Sequence, residues 1–503
     1  MDSIQNILFG FVTAFQPINL VYCFIGVFLG TLVGVLPGIG SLATISLLFP
    51  ITYYLDPTTA IIMLAGVYYG GDYGGSIASI LLRLPGSASS AVTTFDGYPM
   101  AQQGRAGVAL LMTTVGSFIG GSIGILVLMA FAPSLAQLTL SFGSPEYFAL
   151  MVLGLVACGS ITADNPIKGV SMVLLGLLLG SIGTDLISGV SRYNFGFYEL
   201  FDGIEIAVVA MALFGVSEII SSVGEKAAPM LKDKITYRSM IPTRDDWRRS
   251  FVPILRGTGI GGFIGVLPGV GGSIASFLSY AVEKKSSKTP ERFGKGAIEG
   301  VVAPESANNA AAQTAFIPTL TMGIPGTASM ALLLGAMMIH GIQPGPGLMK
   351  EHPTVFWGLI ASFWAGNIML VILNIPLIGI WIKLLQIPYR FLFPGIMALM
   401  CVGVLSINGS TFDIWLLLVV GAVGYFMRVL GFHPASLLIG FVLGPMMEEN
   451  FRRSMVLARG DFLYFFQRPI TFTLFALTLA LIAWSIFSAF RNRGKAIPLA
   501  EEV

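Results

Sequence analysis

Charged residues are scarce in this chain. Asp, Glu, Lys and Arg make up only 11% of its 503 residues, whereas hydrophobic residues make up 55%. Soluble domains contain about 25% charged residues, so this composition excludes an ordinary soluble protein. The net charge is only +2, and the basic residues are gathered in a few connections. A nucleic acid is therefore not expected as a partner.

Residues that commonly carry catalysis or bind metals are also few. Cysteine and histidine occur three times each, at Cys23, Cys158, Cys401, His340, His352 and His433. Their wide separation gives neither a disulfide framework nor a metal-ligand spacing. The sequence contains no nucleophile elbow and no phosphate-binding loop. We therefore expect neither an enzyme nor an ATP-driven pump, and we expect no cofactor.

Apolar sequence is what the chain has in abundance. The runs 107–131, 357–385 and 470–490 reach the roughly 20 residues that a helix needs to cross a bilayer. The sequence therefore predicts an all-α polytopic membrane protein whose outer surface contacts lipid.

Two short motifs occur twice in the same order. The sequence GVLPGIG at 34–40 returns as GVLPGVG at 265–271, 231 residues later, and LPGSAS at 84–89 returns as IPGTAS at 324–329, 240 residues later. We call the first pair the Leu-Pro-Gly segments and the second pair the Pro-Gly-hydroxyl segments. Proline and glycine interrupt helices. Duplicated broken helices in an apolar chain are typical of transporters, which bind substrate between two repeats.

The basic residues predict the topology. The stretches 225–250 and 283–295 hold seven and five Lys or Arg residues, and the positive-inside rule places both in the cytoplasm. Residues 251–282 must then enter and leave the membrane on one side, as a helical hairpin. The equivalent hairpin, 21–54, ends without basic residues, which favours two repeats inserted in opposite directions. Arg452, Arg453 and Arg459 fit this arrangement poorly, because it places them outside the cell.

The repeats suggest a division of the chain into four parts. Residues 1–224 form the first transmembrane repeat, 225–250 a basic cytoplasmic linker, 251–450 the second repeat, and 451–503 a terminal span and tail.

The duplicated segments are the predicted substrate site. A helix broken in the bilayer exposes amide groups and a positive dipole end, which suit a carboxylate. The Leu-Pro-Gly segments and the residues after them contribute Pro37, Gly38, Gly40, Ser41, Pro268, Gly269, Gly271 and Ser273. The Pro-Gly-hydroxyl segments contribute Pro85, Gly86, Ser87, Ser89, Pro325, Gly326, Thr327 and Ser329. Two alternatives stay open: the glycines serve close helix packing, and the hydroxyls only cap their own helices.

Polar residues in otherwise apolar stretches are the predicted ion-coupling groups. Asp72 would be costly at bilayer depth unless it is hydrated, paired or ion-bound; an interfacial position is the alternative. Asn308 and Asn309 can donate to a substrate carboxylate, and their oxygens can accept Na+. A titrating carboxylate favours H+ and amide oxygens favour Na+, so the ion stays open. Glu305 either belongs to this group or pairs with Lys295.

These motifs, together with PESANNAA at 304–311, resemble the large membrane subunit, TctA, of the tripartite tricarboxylate transporters. The resemblance covers essentially the whole chain. It implies a multi-pass permease of the bacterial inner membrane that works with a small four-helix membrane subunit and a periplasmic solute-binding protein. The binding protein would deliver a carboxylate, and a Na+ or H+ gradient would drive uptake, with an elevator movement as one mechanism.

Other functions are compatible with the same motifs. A stand-alone organic-anion channel could use the broken helices, whereas a membrane-embedded enzyme would need an acid-base or metal constellation that is not visible. Amides and hydroxyls fit tricarboxylates, dicarboxylates and aromatic acids alike, so the sequence leaves the substrate open, and a homo-oligomer is compatible with it. The two halves differ at Arg83, where the second has Gly323; this cation could attract anions.

Overall fold

The structure is a computed structural model, which describes residues 3–36, 40–139, 141–161, 166–185, 188–222, 235–268, 271–385 and 389–492. These residues are almost entirely helical, which confirms the all-α prediction. One small antiparallel hairpin pairs β1 (Gly183–Thr184) with β2 (Ser191–Arg192).

Within the described residues, ten α-helices lie in the first half of the chain and thirteen in the second. Those in the first half are α1 (Ser3–Ala14), α2 (Pro17–Val35), α3 (Gly40–Thr52), α4 (Pro57–Leu82), α5 (Thr93–Met100), α6 (Ala106–Thr139), α7 (Ser144–Ile161), α8 (Pro166–Gly180), α9 (Ile206–Ala210) and α10 (Ser217–Ser222). The π-helical turns Ala101–Arg105 and Met211–Val216 join α5 to α6 and α9 to α10, and a 3-10 turn, Ala88–Ser90, lies between α4 and α5.

Thirteen α-helices follow in the second half. They are α11 (Arg244–Gly265), α12 (Gly271–Ser286), α13 (Glu299–Thr314), α14 (Phe316–Met322), α15 (Ala328–Ile339), α16 (Leu348–Glu351), α17 (Pro353–Asn374), α18 (Ile378–Leu384), α19 (Tyr389–Asn408), α20 (Thr411–Val429), α21 (Pro434–Leu457), α22 (Tyr464–Gln467) and α23 (Pro469–Asn492). Further 3-10 turns are Tyr198–Leu200, Tyr237–Met240 and Pro290–Arg292.

Several helices are long and apolar enough to cross a membrane. Within the described residues these are Pro17–Val35, Thr93–Thr139, Pro353–Asn374, Thr411–Val429 and Pro469–Phe487. The chain is thus a multi-pass membrane protein by the length and composition of its helices.

The helices form two compact units, each drawn from both halves of the sequence. Unit 1 comprises Met1–Leu140 and Glu205–Phe426, and unit 2 comprises Ser141–Ile204 and Met427–Val503. All predicted site residues belong to unit 1. The boundaries between the sequence repeats stay a prediction.

Glycines let α2 lie directly on α4 in unit 1. Gly26, Gly30 and Gly34 follow one another at intervals of one helical turn, and a methyl group at any of them would overlap a carbonyl group of α4. The overlapped carbonyls belong to Met63, Val67 and Gly71. Such close backbone approach needs small residues, as in other membrane helices.

The same packing occurs between α11 and α13. Methyl groups at Gly257, Gly261 and Gly265 would overlap the carbonyls of Ala303, Ala307 and Ala311. Each of these glycines lies 231 residues after its counterpart on α2, and each carbonyl lies 240 residues after its counterpart on α4. The spacing of the duplicated motifs is therefore also the spacing of these contacts. This match favours the predicted duplication, while the opposite orientation of the repeats stays a prediction.

The helix breaks of the two halves also share a backbone conformation. Gly40 begins α3 and Gly271 begins α12, and both have φ +64°, a left-handed value that favours glycine. α11 and α12 pack against each other as an antiparallel hairpin, in which Arg256 Nη1 donates to Glu283 Oε2 over 2.7 Å. The two helices cover residues 251–265 and 271–282 of the stretch predicted as a hairpin; its side of the membrane stays a prediction.

Helix starts follow ordinary capping rules. Asp56 accepts a hydrogen bond from the Thr58 N–H over 2.9 Å, and Pro57 occupies the first position of α4. Thr243 and Asp246 form a reciprocal capping box at the start of α11. These caps satisfy amide groups that have no partner within the helix.

Unit 2 is held together partly by buried charge. Its helices α7 and α8 pack against α21, and α7 also packs against α23. Arg468 Nε donates to the buried Glu146 over 2.5 Å, and Thr471 donates to the same carboxylate over 2.9 Å. Arg452 Nη1 donates to Asp185 over 2.7 Å.

Candidate functional site

Residues from both halves of the sequence meet at the start of α12. A methyl group added at Gly272 would contact Oδ1 of Asn308 on α13 and would lie 3.6 Å from Cβ of Ser89. A methyl group added at Gly271 would lie 3.3 Å from Cγ2 of Thr327. The first turn of α12 is therefore adjacent to a Pro-Gly-hydroxyl segment from each half. We call this group, with Asp72, the α12 cluster.

A chain of hydroxyls leads to the carboxylate of Asp72. Ser89 Oγ donates to Asp72 Oδ1 over 2.9 Å, and the hydroxyl oxygens of Ser87 and Ser89 are 2.9 Å apart. Asp72 is 6% exposed and Ser89 is 7% exposed. Asp72 therefore lies inside the protein, while its depth in the bilayer stays a prediction. Its role in ion coupling stays a prediction.

Thr327 combines a capping role with a place in the cluster. Its hydroxyl oxygen accepts a hydrogen bond from the Met330 N–H over 3.3 Å and caps α15. The Tyr68 side chain, one turn before Asp72 on α4, lies beside both Asp72 and Thr327. A hydroxyl that accepts one hydrogen bond still has its own hydrogen to donate. Capping and ligand contact are therefore compatible at this position.

The two adjacent asparagines point in different directions. Asn308 faces the α12 cluster, where its side chain lies beside the Asp72 carboxylate and its buried amide atoms make no other hydrogen bond among the described residues. Asn309 instead donates to Ser117 Oγ on α6 over 2.7 Å and to the carbonyl of Glu305 over 3.0 Å. Asn308 is thus the better placed of the two for a ligand at the start of α12.

Glu305 does not pair with Lys295. Its side chain is 1% exposed, and Oε1 accepts a hydrogen bond from the hydroxyl of Thr93. Both partners are buried, and Thr93 belongs to the first half of the chain. The sequence analysis left Glu305 undecided and gave no role to Thr93 or Tyr68. Tyr68 could have been found by subtracting the motif spacing of 240 residues from Asn308.

The remaining predicted residues have varied positions. Gly86 packs on the carbonyl of Gly34, and a methyl group at Gly326 would lie 3.8 Å from the carbonyl of Gly265, the equivalent residue. Gly86 therefore serves close packing, as one alternative proposed, whereas a methyl group at Gly326 would make only ordinary van der Waals contacts. Pro85 is exposed, whereas Pro325 is buried.

Serines near the breaks are less closely tied to the cluster. Ser41, after the first break, lies against α4, where a methyl group at Gly71 would be 2.8 Å from its Cβ. Ser273 is half-buried in the first turn of α12, as is Pro268 in the turn before it, and Ser329 is buried in the first turn of α15. Pro37, Gly38 and Gly269 lie outside the described residues.

The α12 cluster contains one carboxylate, Asp72, and a second, Glu305, lies nearby, but the cluster contains no basic side chain. In the described part of the chain, no Lys or Arg forms an ion pair with Asp72 or Glu305. Arg83 is exposed and caps α4 with φ 59°, where the equivalent Gly323 has φ 70°. The positive ends of the α12 and α15 dipoles lie at the cluster. Three or more Cys, His, Asp or Glu side chains do not gather into a metal site within the described ranges.

A separate cavity lies away from the hydroxyl, amide and carboxylate groups of the α12 cluster. A groove of about 680 Å³ between α6 and α11 is lined almost wholly by apolar side chains and contains no carboxylate or amide side chain. It offers nothing that would recognise an anion, so we place the candidate site at the α12 cluster.

Comparison with known proteins agrees with the sequence motifs. The chain is 49% identical over 502 residues to an uncharacterized 52.8 kDa protein in the TAR-I ttuC' 3'region of Agrobacterium vitis, with 100% of both chains covered. It is 52% identical over 233 residues to an uncharacterized protein in the TAR-II ttuC' 3'region of the same organism, covering 46% of this chain and 96% of that relative. No solved structure matches. Residues 20–439 match the tripartite tricarboxylate transporter TctA family, and the chain therefore belongs to this family of transporter subunits.

Proposed function

We propose that this chain is the permease subunit of a tripartite carboxylate transporter and binds its substrate at the α12 cluster. The observation that carries the proposal is the meeting of residues from both halves at a helix start, with side-chain hydroxyls and a buried amide beside the Asp72 carboxylate. Amide N–H groups at a helix start and side-chain hydroxyls suit a carboxylate. Backbone groups freed by a break within a membrane persist only beside protein, water or ligand.

The residues divide into two roles. Ser87, Ser89, Thr327 and the amides at the start of α12 bind substrate carboxylates, with Asn308 as a further donor. Asp72, together with the Asn308 oxygen, forms the ion-coupling site, because a buried carboxylate without a basic partner needs a cation or a proton. Uptake is driven by a Na+ or H+ gradient.

The family description implies further subunits. In the bacterial inner membrane the chain would work with a small membrane subunit and with a periplasmic solute-binding protein, which delivers the carboxylate. Omitting the binding protein should therefore abolish uptake from dilute substrate.

Reconstitution of the permease with both partners tests the proposal, with radiolabelled citrate and a panel of di- and tricarboxylates as probes. Uptake should require an imposed ion gradient and should be indifferent to ATP. Exchange of internal for external substrate without electrical conductance distinguishes a transporter from a channel. Uptake supported by ATP alone would contradict the proposal.

Substitution of Ser89 by Ala tests the site. A hydrogen bond to a charged group contributes about 1.5 to 3 kcal/mol, so S89A should weaken the apparent affinity about tenfold or more. Ser362→Ala is the matched control, because Ser362 is equally buried and only donates to the Leu359 carbonyl of its own helix. Unchanged affinity in S89A, S87A and T327A together would move the binding site elsewhere.

A further inference from the structure

Glu305 is a second buried acid beside the candidate site. It lies in the middle of α13, in the same unit as the α12 cluster. Thr93 donates to Oε1, but Oε2 is buried and has no hydrogen-bond partner among the described residues. Apart from the nearby Ser117 hydroxyl, this half of the carboxyl group is left without compensation for its lost hydration.

A hydroxyl that can serve either protonation state lies next to this carboxyl group. The side chain of Ser117 on α6 is close to Glu305, and its oxygen already accepts a hydrogen bond from Asn309 over 2.7 Å. Its hydrogen can be donated to an ionised carboxylate, and its second lone pair can accept from a protonated one. The surroundings can therefore accommodate the addition or removal of a proton by rotating one hydroxyl.

The helices packed against α13 supply acids but no unpaired buried base. Within the described residues, the ionisable side chains of α4, α5, α11 and α12 are Tyr68, Tyr69, Asp72, Tyr73, Asp96, Tyr98, Arg244, Asp245, Asp246, Arg248, Arg249, Arg256, Tyr280, Glu283, Lys284 and Lys285, and α6 and α14 contain none. Asp72 and Tyr73 on α4 face Glu305 closely enough to interact electrostatically with it.

The other charged groups are engaged elsewhere. Asp96 accepts three backbone N–H groups from 294–297 and the hydroxyl of Tyr280. Arg256 is paired with Glu283. Three further arginines bind acids at the polar ends of the helices: Arg105 binds Asp246, and Arg249 and Arg292 bind Glu299. Lys284 and Lys285 are exposed.

An ionised carboxylate that is buried without a cation costs several kcal/mol, so such a group is neutralised by a proton or by a bound cation. The neighbours of Glu305 on α5 and α6 are hydroxyls that present hydrogens, and the Asn309 amide turns its N–H toward Ser117. Hard cations need several oxygen lone pairs instead. This arrangement suits a proton better than a metal ion.

We propose that Glu305 carries the proton whose entry is coupled to substrate uptake; the inference rests on the proposed transport function. When the site faces the periplasm, a proton adds to the Glu305 carboxylate and gives a neutral carboxyl group. When the site faces the cytoplasm, the same O–H bond breaks, the proton leaves to water, and the carboxylate is restored. No other bond changes, and Asp72 remains part of the substrate and ion site at α12.

Glu305→Gln, which fixes the neutral form, tests this role in the reconstituted three-component transporter. In the wild type, a pH gradient of one unit supplies about 1.4 kcal/mol and should support about tenfold accumulation of citrate per coupled proton. E305Q should exchange internal for external citrate but should no longer accumulate it against a gradient. Glu299→Gln is the matched control, because Glu299 lies on the same helix and is paired with Arg249 and Arg292.

The outcomes separate this inference from the proposed function. If the wild type transports citrate or another carboxylate only with a Na+ gradient and ignores the pH gradient, the role of Glu305 is refuted and the transport function stands. The role of Glu305 is also refuted if E305Q accumulates citrate with the same pH dependence as the wild type. If the wild type transports no carboxylate under any gradient, the proposed function itself fails.

Infrared difference spectroscopy of the full chain in lipid gives a readout independent of transport. The carboxyl C=O band that appears on acidification should be lost in E305Q and retained in E299Q. If E305Q fails to insert, Glu305→Asp replaces it, because it retains a titrating group and should preserve accumulation with an altered pH profile. Persistence of the whole band in E305Q, or no response of the pH profile to E305D, would overturn the proposal.

Discussion

Close packing between α11 and α13 makes Gly261 a sensitive position. A methyl group there would overlap the carbonyl group and Cα of Ala307, and neither can rotate away as a side chain could. Restoring normal van der Waals separation requires the two backbones to move apart on the order of 1 Å. The residue after Ala307 is Asn308, so this movement would also displace the amide that faces Gly272.

The size of the effect follows from two opposing terms. Forcing a methyl group into a packed interface costs about 1 to 3 kcal/mol, whereas replacing Gly by Ala within a helix gains up to about 1 kcal/mol. Gly261→Ala should therefore destabilise the protein. At Gly259, on the same helix, an added methyl group meets nothing within 4 Å. Gly259→Ala should show only the stabilisation that comes from replacing Gly by Ala within a helix.

Thermal unfolding of the two purified variants in the same detergent measures the difference. The melting temperature of G261A should fall and that of G259A should equal or exceed the wild type. Uptake should decline only in G261A, because only there does α13 move. Equal melting temperatures for the two variants would refute the argument that backbone contact limits this interface.

Three further predictions concern single positions. Arg83→Gly should stabilise the protein by about 1 kcal/mol, because glycine relieves the strain of the left-handed backbone, whereas Arg83→Ala should not stabilise it. Thermal unfolding compares the two variants, and a higher melting temperature in both would show that strain is not the cause. Asp96→Ala should destabilise the protein by about 3 kcal/mol or more, because it leaves three backbone N–H groups without an acceptor. Asp96→Asn retains the acceptor oxygen and should lower the melting temperature only slightly; an equal fall in both variants would mean that the negative charge is the stabilising feature. Single cysteines at Lys234 and Lys288 should both react with a membrane-impermeant thiol reagent from the cytoplasmic side, and labelling from opposite sides would contradict the hairpin topology.

Local sequence patterns correctly predicted that helices are interrupted at the Leu-Pro-Gly segments. The Leu-Pro-Gly segments combine a missing amide donor with a residue that tolerates left-handed φ, so a helix break was predicted in each. In the structure α3 begins at Gly40 and α12 at Gly271, both with left-handed φ. The charge pattern likewise predicted a hairpin where α11 and α12 are antiparallel. Both features depend on residues close together in the sequence.

Features that depend on distant residues could not be predicted in this way. Glu305 was considered as a partner of Lys295 because the two lie ten residues apart, whereas its neighbour Thr93 is 212 residues away. The directions of Asn308 and Asn309 follow from the angle of α13 against α6 and α12, which no local pattern encodes. The division into two compact units also could not be predicted from the sequence, because each unit combines stretches from both halves.

The two spacings of the duplicated contacts have an evolutionary consequence. They are 231 residues for α2 and α11 and 240 residues for α4 and α13, so the halves differ by nine residues between the paired helices. That difference falls between the starts of α12 and α13, a stretch that carries the five basic residues of 283–295 and the backbone amides bound by Asp96. If the two halves arose by duplication, a short insertion or deletion in this stretch would have been enough to give one copy a basic connection while its helix contacts stayed the same.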